Sequence, residues 1–318
     1  MSDLNLKIVV GFITYGENTA KYLPYFLDSL KEQTLQGVEL VVVDNSPDKK
    51  SENQKYLRQH SSAEIINSGE NLGFARAYNL LIREAFNRGA KYFLALNPDV
   101  IMEADALENL VKAMEKDSKL GSASPKILRW DFENRRKTAT IDTCGIKLNK
   151  GLIFYDLGQT EPDKSQYDGQ QILGPSGAAA IYRMTALEQV QEKNGFFDEV
   201  MFMYKEDCDL AYRMRLTGYS SVCVGQAVVY HDRTVTGKKP SNLRIAWNRR
   251  NKSRQVKRWS FFNQQVIFFK YWGIQTWDNK AAILWYELKA FLFILFLEPY
   301  LLQEWWRLWK SRDKIIRY

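Results

Sequence analysis

Three carboxylates, Glu206, Asp207 and Asp209, fall within four positions at the start of the helical pattern KEDCDLAYRMRLT (205–217). On a helix, Glu206 and Asp207 point in different directions, so at most one faces a substrate, where it could take a proton from a hydroxyl nucleophile. The alternative is structural, since acidic groups favour the positive end of a helix dipole. Asp99 follows the apolar run KYFLAL (91–96), and Pro98 stiffens its approach. Such a carboxylate could hold Mg2+ or Mn2+ against a diphosphate, because hard oxygen ligands suit these ions. It could equally close an Asx-Pro turn and cap a helix over 103–116. His231, one of only two histidines, ends an apolar run and is either structural or a second metal ligand.

These groups need a scaffold that gathers them. KIVVGFI (7–13), VELVVVD (38–44) and KYFLAL (91–96) are short, apolar and β-branched or aromatic, the pattern of strands buried on both faces. Helical stripes lie between them, at 19–33 through Leu23, Phe26, Leu27 and Leu30, and at 74–88 through Ala77, Leu81 and Ala85. Alternation of this kind predicts an α/β fold with a doubly wound sheet, which binds ligands beyond the carboxyl ends of its strands. Thr14-Tyr15, Asp44-Asn45 and Asn97-Pro98-Asp99 occupy those ends. Further strands are expected at 121–128, 177–183 and 226–231, with an irregular loop at 156–170 and a helix at 205–217 closed by Gly218. The stretch NLGFARAYN (71–79) offers a glycine for close backbone approach, free amides of a starting helix and the donor fork of Arg76, all useful beside a phosphate. Neither GxGxxG nor GxxxxGK[ST] occurs, which argues against dinucleotide and P-loop folds.

The chain's net charge of +8 is unevenly placed. Ten Lys or Arg and no acid lie between 233 and 258, so residues 1–232 carry a net −5. Eight of the nine tryptophans lie from Trp247 onward. Composition therefore divides the chain into 1–235 and a basic, aromatic helical region, 236–318. Three scattered cysteines, with no metal-ligand spacing, suit a reducing compartment, and the N-terminus lacks a signal-peptide layout.

In order, IVVGFITYGE, VVVDNSPD, NLGFARAYN, ALNPDV, GPSGAAAIYR and FFDEVMFMYKEDCDLAYRMRLTGY, ending at VVYH, resemble the family 2 glycosyltransferases over roughly 7–232. They look most like the bacterial rhamnosyltransferase-like branch that builds surface polysaccharide of the cell envelope. The resemblance implies a GT-A fold with a mixed doubly wound sheet, a nucleoside diphosphate sugar donor and inversion by direct displacement. It implies that Thr14, Tyr15 and Glu17 lie along the nucleoside and that Asp44, with Asn45, meets the base. Asn71, Gly73 and Arg76 would border the nucleotide-sugar. Asp99 would be the last carboxylate of the Asp-x-Asp metal motif, with His231 on the metal side and Asn97 where the first acid is expected. Asp207 would be the base and Glu206 an acceptor contact. Ser176 and Gly177, in a run of small residues, would either permit close strand packing or let the acceptor sugar approach the backbone.

Residues 281–302 contain only eight uninterrupted apolar residues, 290–297, too few to span a bilayer. Trp305, Trp306 and Trp309 beside Arg307, Lys310 and Arg312 fit a headgroup boundary, and the basic run would add attraction to an anionic membrane surface. The competing reading is a helical subdomain packed on protein. With the resemblance, the expectation is a peripheral enzyme at the cytoplasmic face of the inner membrane. It would move L-rhamnose from dTDP-rhamnose to a polyprenyl-diphosphate-linked saccharide. A sugar nucleotidyltransferase would show an early Gly-rich loop with Arg and Lys, where this chain has TYGENT. A non-enzymatic binder of nucleic acid or another anionic polymer is disfavoured by the acidic main domain, and nucleic acid is not an expected partner.

Overall fold

The computed structural model describes residues 6–48, 51–233 and 253–318. Ile8–Thr14 (β1) sends Ile8, Val10 and Phe12 into one apolar layer and Val9 into the other, as a doubly buried strand must. Gly16–Ala20 (α1), Leu23–Lys31 (α2), Glu39–Asp44 (β2), Glu52–His60 (α3), Glu64–Asn67 (β3), Gly73–Asn87 (α4) and Tyr92–Leu96 (β4) follow. The single helix expected over 19–33 is two, because Pro24, in the first turn of α2, has no N–H to continue an earlier helix and suits a new start. β3, β2, β1 and β4 pair in parallel in that order.

The second half turns the sheet into a mixed one. Its elements are Val100–Met102 (β5), Ala106–Lys116 (α5), Leu120–Asp131 (β6), Arg136–Thr143 (β7), Ile146–Asn149 (β8), Ile153–Asp156 (β9), Gln171–Ile172 (β10), Ala179–Arg183 (β11), Met184–Gln189 (α6), Glu206–Leu216 (α7) and Ser220–His231 (β12). β11 runs antiparallel to both β4 and β6, whereas β12 runs parallel to β6. Leu23 and Phe26 of α2 and Leu107 and Leu110 of α5 cover one face of the sheet. Leu81 of α4, Leu187 of α6 and Leu210 and Met214 of α7 cover the other, which makes the sheet doubly wound.

Among the described residues, three α-helices follow the last strand: Arg254–Tyr271 (α8), Trp277–Leu297 (α9) and Leu302–Ser311 (α10). α8 is not a separate appendage. Its Phe262, Val266, Ile267 and Tyr271 are buried with Ile146, Leu173, Ala211 and Tyr212 in one apolar cluster. This much of the basic, aromatic region is packed on protein, because aromatic residues bury against the α/β domain as readily as against lipid. α9 is different, with only Ile283 and Ile294 fully buried. Among the described residues, no helix is long and apolar enough to cross a membrane.

Of the ten-charge stretch, Lys238, Lys239, Arg244, Arg249, Arg250 and Lys252 lie outside the described residues. Of the rest, Lys257 pairs with Glu298 at 2.8 Å, Arg258 pairs with Glu304, and Arg233 meets Asp142 and Asp156 at 3.1 Å. These three cations are engaged by protein carboxylates, which corrects the expectation that they serve an anionic surface.

Candidate active site

The loops beyond β1, β2 and β4, the start of α4 and α7, and the end of β12 enclose a cleft of about 1010 Å³. Asn45 reaches it from the β2 loop, donating from Nδ2 to Gly73 O at 3.1 Å while its Oδ1 stays buried without a partner. Gly73 has φ +75°, and a Cβ there would lie 2.5 Å from Phe202 O. Only glycine fits that turn. Phe74 N donates to the same carbonyl at 2.8 Å, joining the start of α4 to the segment that leads into α7.

Tyr15, Asn71, Asn97, Asp99, Ser176, Gly177, Glu206, Asp207 and His231 line the cleft with Asn45 and Gly73. Thr14, Glu17, Asp44 and Arg76 are not among its lining residues. Asp44 is fully buried, and its carboxylate accepts from Thr14 Oγ1 (3.0 Å), Ser46 Oγ (2.8 Å), Ser51 Oγ (2.6 Å) and Gln54 Nε2 (2.9 Å). Its acceptor capacity is spent on ordering the loop, so it offers no free carboxylate to the cleft. Arg76 is half exposed and pairs with Glu70 at 3.6 Å, a surface ion pair.

At the other end, antiparallel pairing of β5 with β12 sets Val100 opposite His231 and so brings Asp99 beside the imidazole. His231 Nε2 lies 3.5 Å from Asp99 Oδ2, and Nδ1 lies 2.9 Å from Asp142 Oδ2. Burial works against a charge on this ring, but Asp99 and Asp142 outweigh it and raise His231 to about 10. Arg233 clamps Asp142 and Asp156, each at 3.1 Å. Asp99 Oδ1 is buried with no hydrogen-bond partner. The open carboxylate oxygen suits a divalent cation, and the imidazole, whose far nitrogen is fixed by a second carboxylate, can join it as a ligand only by giving up its Nε2 proton. A denser acidic cluster elsewhere does not. Glu192, Asp198 and Asp209 lie within ligand distance of one another, but Lys270 Nζ sits among them at 2.6, 3.1 and 3.1 Å and fills the place of a cation.

The three carboxylates near the start of α7 have separated environments. Asp209 points inward to Lys270, to Arg213 Nε (2.9 Å) and to Tyr271 Oη (2.7 Å). Glu206 is buried, and Oε2 has no partner. Desolvation, reinforced by Asp207, holds Glu206 well above the usual carboxylate range. Asp207 stays partly exposed to the cleft and accepts from Gly177 N at 3.0 Å and Cys208 N at 2.8 Å. Burial also pushes Asp207 up, against the pull of those two amides. A partly desolvated carboxylate with a raised pKa is a more competent base than a solvated one.

The turn that delivers it is strained. Tyr204 and Lys205 have φ of 75° and 68°, unusual for side-chain-bearing residues. Asn263 of α8 holds the turn by donating Nδ2 to Met203 O (2.9 Å) and Tyr204 O (2.6 Å). Asp142, Asp156, Arg233, Trp259 and Asn263 thus belong to the site or its supports, and sequence reasoning missed all five. Arg233, two residues beyond the singled-out His231, had the clearest available signal.

The profile of glycosyl transferase family 2 matches residues 9–191. The chain is similar to the N-acetylglucosaminyl-diphospho-decaprenol L-rhamnosyltransferase of Mycobacterium tuberculosis, at 26% identity over 250 residues, covering 72% of this chain and 78% of that one. It is also similar to rhamnosyltransferase WbbL of Escherichia coli K12, at 28% over 217 residues, covering 66% and 78%. Among solved structures, GalNAc-T7 with UDP, GalNAc and Mn2+ superposes with a TM-score of 0.62 at 14% identity, over 88% of this chain and 51% of that chain, about half its length.

Proposed function

The chain belongs to glycosyl transferase family 2, with a GT-A fold, and from that premise we propose an inverting enzyme that transfers L-rhamnose from dTDP-rhamnose to a hydroxyl of a polyprenyl-diphosphate-linked saccharide. One observation carries the reading: Asp99, Asp207 and His231, remote in sequence, line a single cleft. The donor and acceptor classes rest on the names of the two rhamnosyltransferases, one of which acts on a diphospho-decaprenol-linked sugar.

In this reading Asp207 removes the acceptor proton, and the freed oxygen attacks the anomeric carbon from the face opposite the diphosphate. No second carboxylate is needed as a nucleophile, in contrast with the two-step retaining route. Glu206, whose burial favours the neutral carboxyl, stands beside the acceptor as a hydrogen-bond donor rather than a second base. Ser176 and Gly177 border the acceptor, and Gly177 N orients Asp207. Tyr15, Asn45, Asn71 and Gly73 border the donor. Asp99 and His231, with Asn97 beside them, would hold Mg2+ or Mn2+, which would supply positive charge for the departing diphosphate.

Attachment to the membrane is peripheral, through α9 and α10. Trp285, Phe296 and Leu297 are 61%, 76% and 66% exposed, while Glu287, which interrupts the apolar run, turns inward to Gln265 Nε2 at 2.8 Å. Trp306 and Trp309 stack at 5.0 Å, with Lys310 over one ring and Arg312 over the other. Exposed aromatics under cations are the composition of a lipid interface. An acceptor anchored in the cytoplasmic face of the inner membrane would then meet the cleft. The deciding experiment is a donor screen that follows nucleoside diphosphate release from dTDP-rhamnose, UDP-sugars and GDP-sugars with and without Mn2+. Turnover confined to a UDP- or GDP-sugar would overturn the rhamnosyl assignment.

A further inference from the structure

We propose that Lys205 holds the diphosphate of the acceptor and so selects a sugar carried on a lipid diphosphate over a neutral glycan. Four basic residues line the cleft: Lys21, Lys205, His231 and Arg233. His231 and Arg233 are engaged by Asp99, Asp142 and Asp156. The two lysines have no carboxylate partner among the described residues, and each ammonium rests over an aromatic ring, Lys21 over Tyr22 at 4.7 Å and Lys205 over Phe154 at 5.8 Å. They stand at opposite ends. Tyr22 Oη donates to Asp232 Oδ2 at 2.6 Å and Asp232 N donates to Asp99 O at 3.1 Å, which puts Lys21 at the donor end. Lys205 directly precedes Glu206 and Asp207, where a hydroxyl loses its proton. An ammonium left without a counter-charge is a compact point charge with three donors, suited to phosphate oxygens.

Two features set Lys205 apart from a surface lysine. It is half-buried, and its φ of 68° is one that glycine would adopt without strain, so a long charged side chain is kept there at a cost to the fold. Its surroundings also lead toward the exposed apolar helices. Phe154, beneath the ammonium, belongs to β9, and the tip of the β8–β9 hairpin meets those helices: Gly151 N donates to Asn279 Oδ1 of α9 at 3.2 Å, and Leu152 O accepts from Gln264 Nε2 of α8 at 3.1 Å. The contacts run from Asp207 through Lys205 and Phe154 to α9, the order in which a lipid-linked sugar presents its hydroxyl, its diphosphate and its chain. The inference rests on the acceptor class proposed above and names the residue that recognises its charge.

The test uses the full chain, dTDP-rhamnose and two acceptor probes, a short-chain prenyl diphosphate N-acetylglucosamine and the uncharged prenyl glycoside of the same sugar. The wild type should prefer the diphosphate probe by about ten- to hundredfold in kcat/KM. Lys205→Met should erase most of that preference with donor KM unchanged, and Lys205→Arg should keep most of it. Raising the ionic strength should shrink the preference in the wild type itself, a readout that does not depend on how any variant folds. Equal use of the two probes by the wild type, a preference indifferent to salt, a preference retained in Lys205→Met, or a parallel rise in donor KM overturns the assignment. Saturation-transfer NMR on the nucleotide-loaded protein separates this failure from failure of the functional reading. If the wild type transfers no rhamnose but binds the diphosphate probe more tightly than the neutral one, and Lys205→Met removes that difference, Lys205 keeps its role and the donor assignment falls. No transfer and no binding of either probe overturns both.

Discussion

Lys270 Nζ lies 3.1 Å from Asp209 Oδ1, two residues along the helix from Asp207. A buried ammonium at the end of α8 thus neutralises Asp209, in the first turn of the helix that carries the proposed base. Both side chains are fully buried, and Asp198 and Glu192 share the same ammonium. The C-terminal region is therefore part of the catalytic domain's electrostatics.

Lys270→Met should destabilise the protein by about 3–5 kcal/mol, because it strands buried carboxylates without a counter-charge. Chemical denaturation is the measurement. A chain ending near residue 235 should fail for the same reason, and should expose the apolar cluster that α8 covers. An unchanged denaturation midpoint in Lys270→Met would show that the cluster is neutralised in some other way.

Asn263→Leu removes the two hydrogen bonds that hold the left-handed turn at Tyr204 and Lys205. The turn should relax and Asp207 should leave its place, so kcat should fall by at least about tenfold while nucleotide affinity holds. Lys205→Gly, in contrast, should gain stability, because glycine adopts positive φ without strain. Steady-state kinetics with calorimetric nucleotide binding checks the first, and thermal melting checks the second.

Burial raises Asp207, so the folded protein binds its proton more tightly than the unfolded chain does. The sign follows from linkage: the favourable contribution is complete below the ordinary aspartate range and is lost as pH rises through the raised value. At neutral pH the carboxylate therefore costs stability. Asp207→Asn should melt higher than the wild type at pH 8, and the difference should close near pH 4. Activity should run the other way, with kcat/KM falling as acid protonates the base. A mutant that melts lower than the wild type at pH 8 would contradict this account.

Trp285→Asp with Phe296→Asp should release the protein from anionic vesicles without changing nucleotide affinity, because both side chains are exposed and remote from the cleft lining. Vesicle flotation reads the result. Full retention on vesicles would remove α9 from the interface.

Much of this architecture is legible in the sequence because parallel central strands are continuous apolar runs. KIVVGFI, VELVVVD and KYFLAL mark β1, β2 and β4 to within a residue. The edge strands are less visible. β7 reads RKTATIDT, polar for most of its length, and nothing in that pattern marks Asp142 as the buried partner of His231. Proximity created by strand pairing leaves no local trace. The helical period told that Glu206 and Asp207 diverge, but both line the cleft, Glu206 buried and Asp207 partly exposed, so the expectation that at most one would reach it did not hold. Asp44 illustrates the opposite failure, since a carboxylate at a strand's exit looks the same whether it is open or enclosed by four side chains. Apolar and aromatic composition does not by itself tell a lipid face from a protein one: Phe262, Val266 and Phe268 have the chemistry of the first and bury in protein.

The most direct test is the transfer rate of Asp207→Asn alongside its affinity for the nucleotide-sugar. Asparagine keeps the shape and can still accept from Gly177 N, but it takes no proton. Transfer should fall by about 10²–10⁴-fold with donor affinity intact, the range for loss of a positioned base. Transfer at the wild-type rate would contradict the account, because another group would then be removing the acceptor proton.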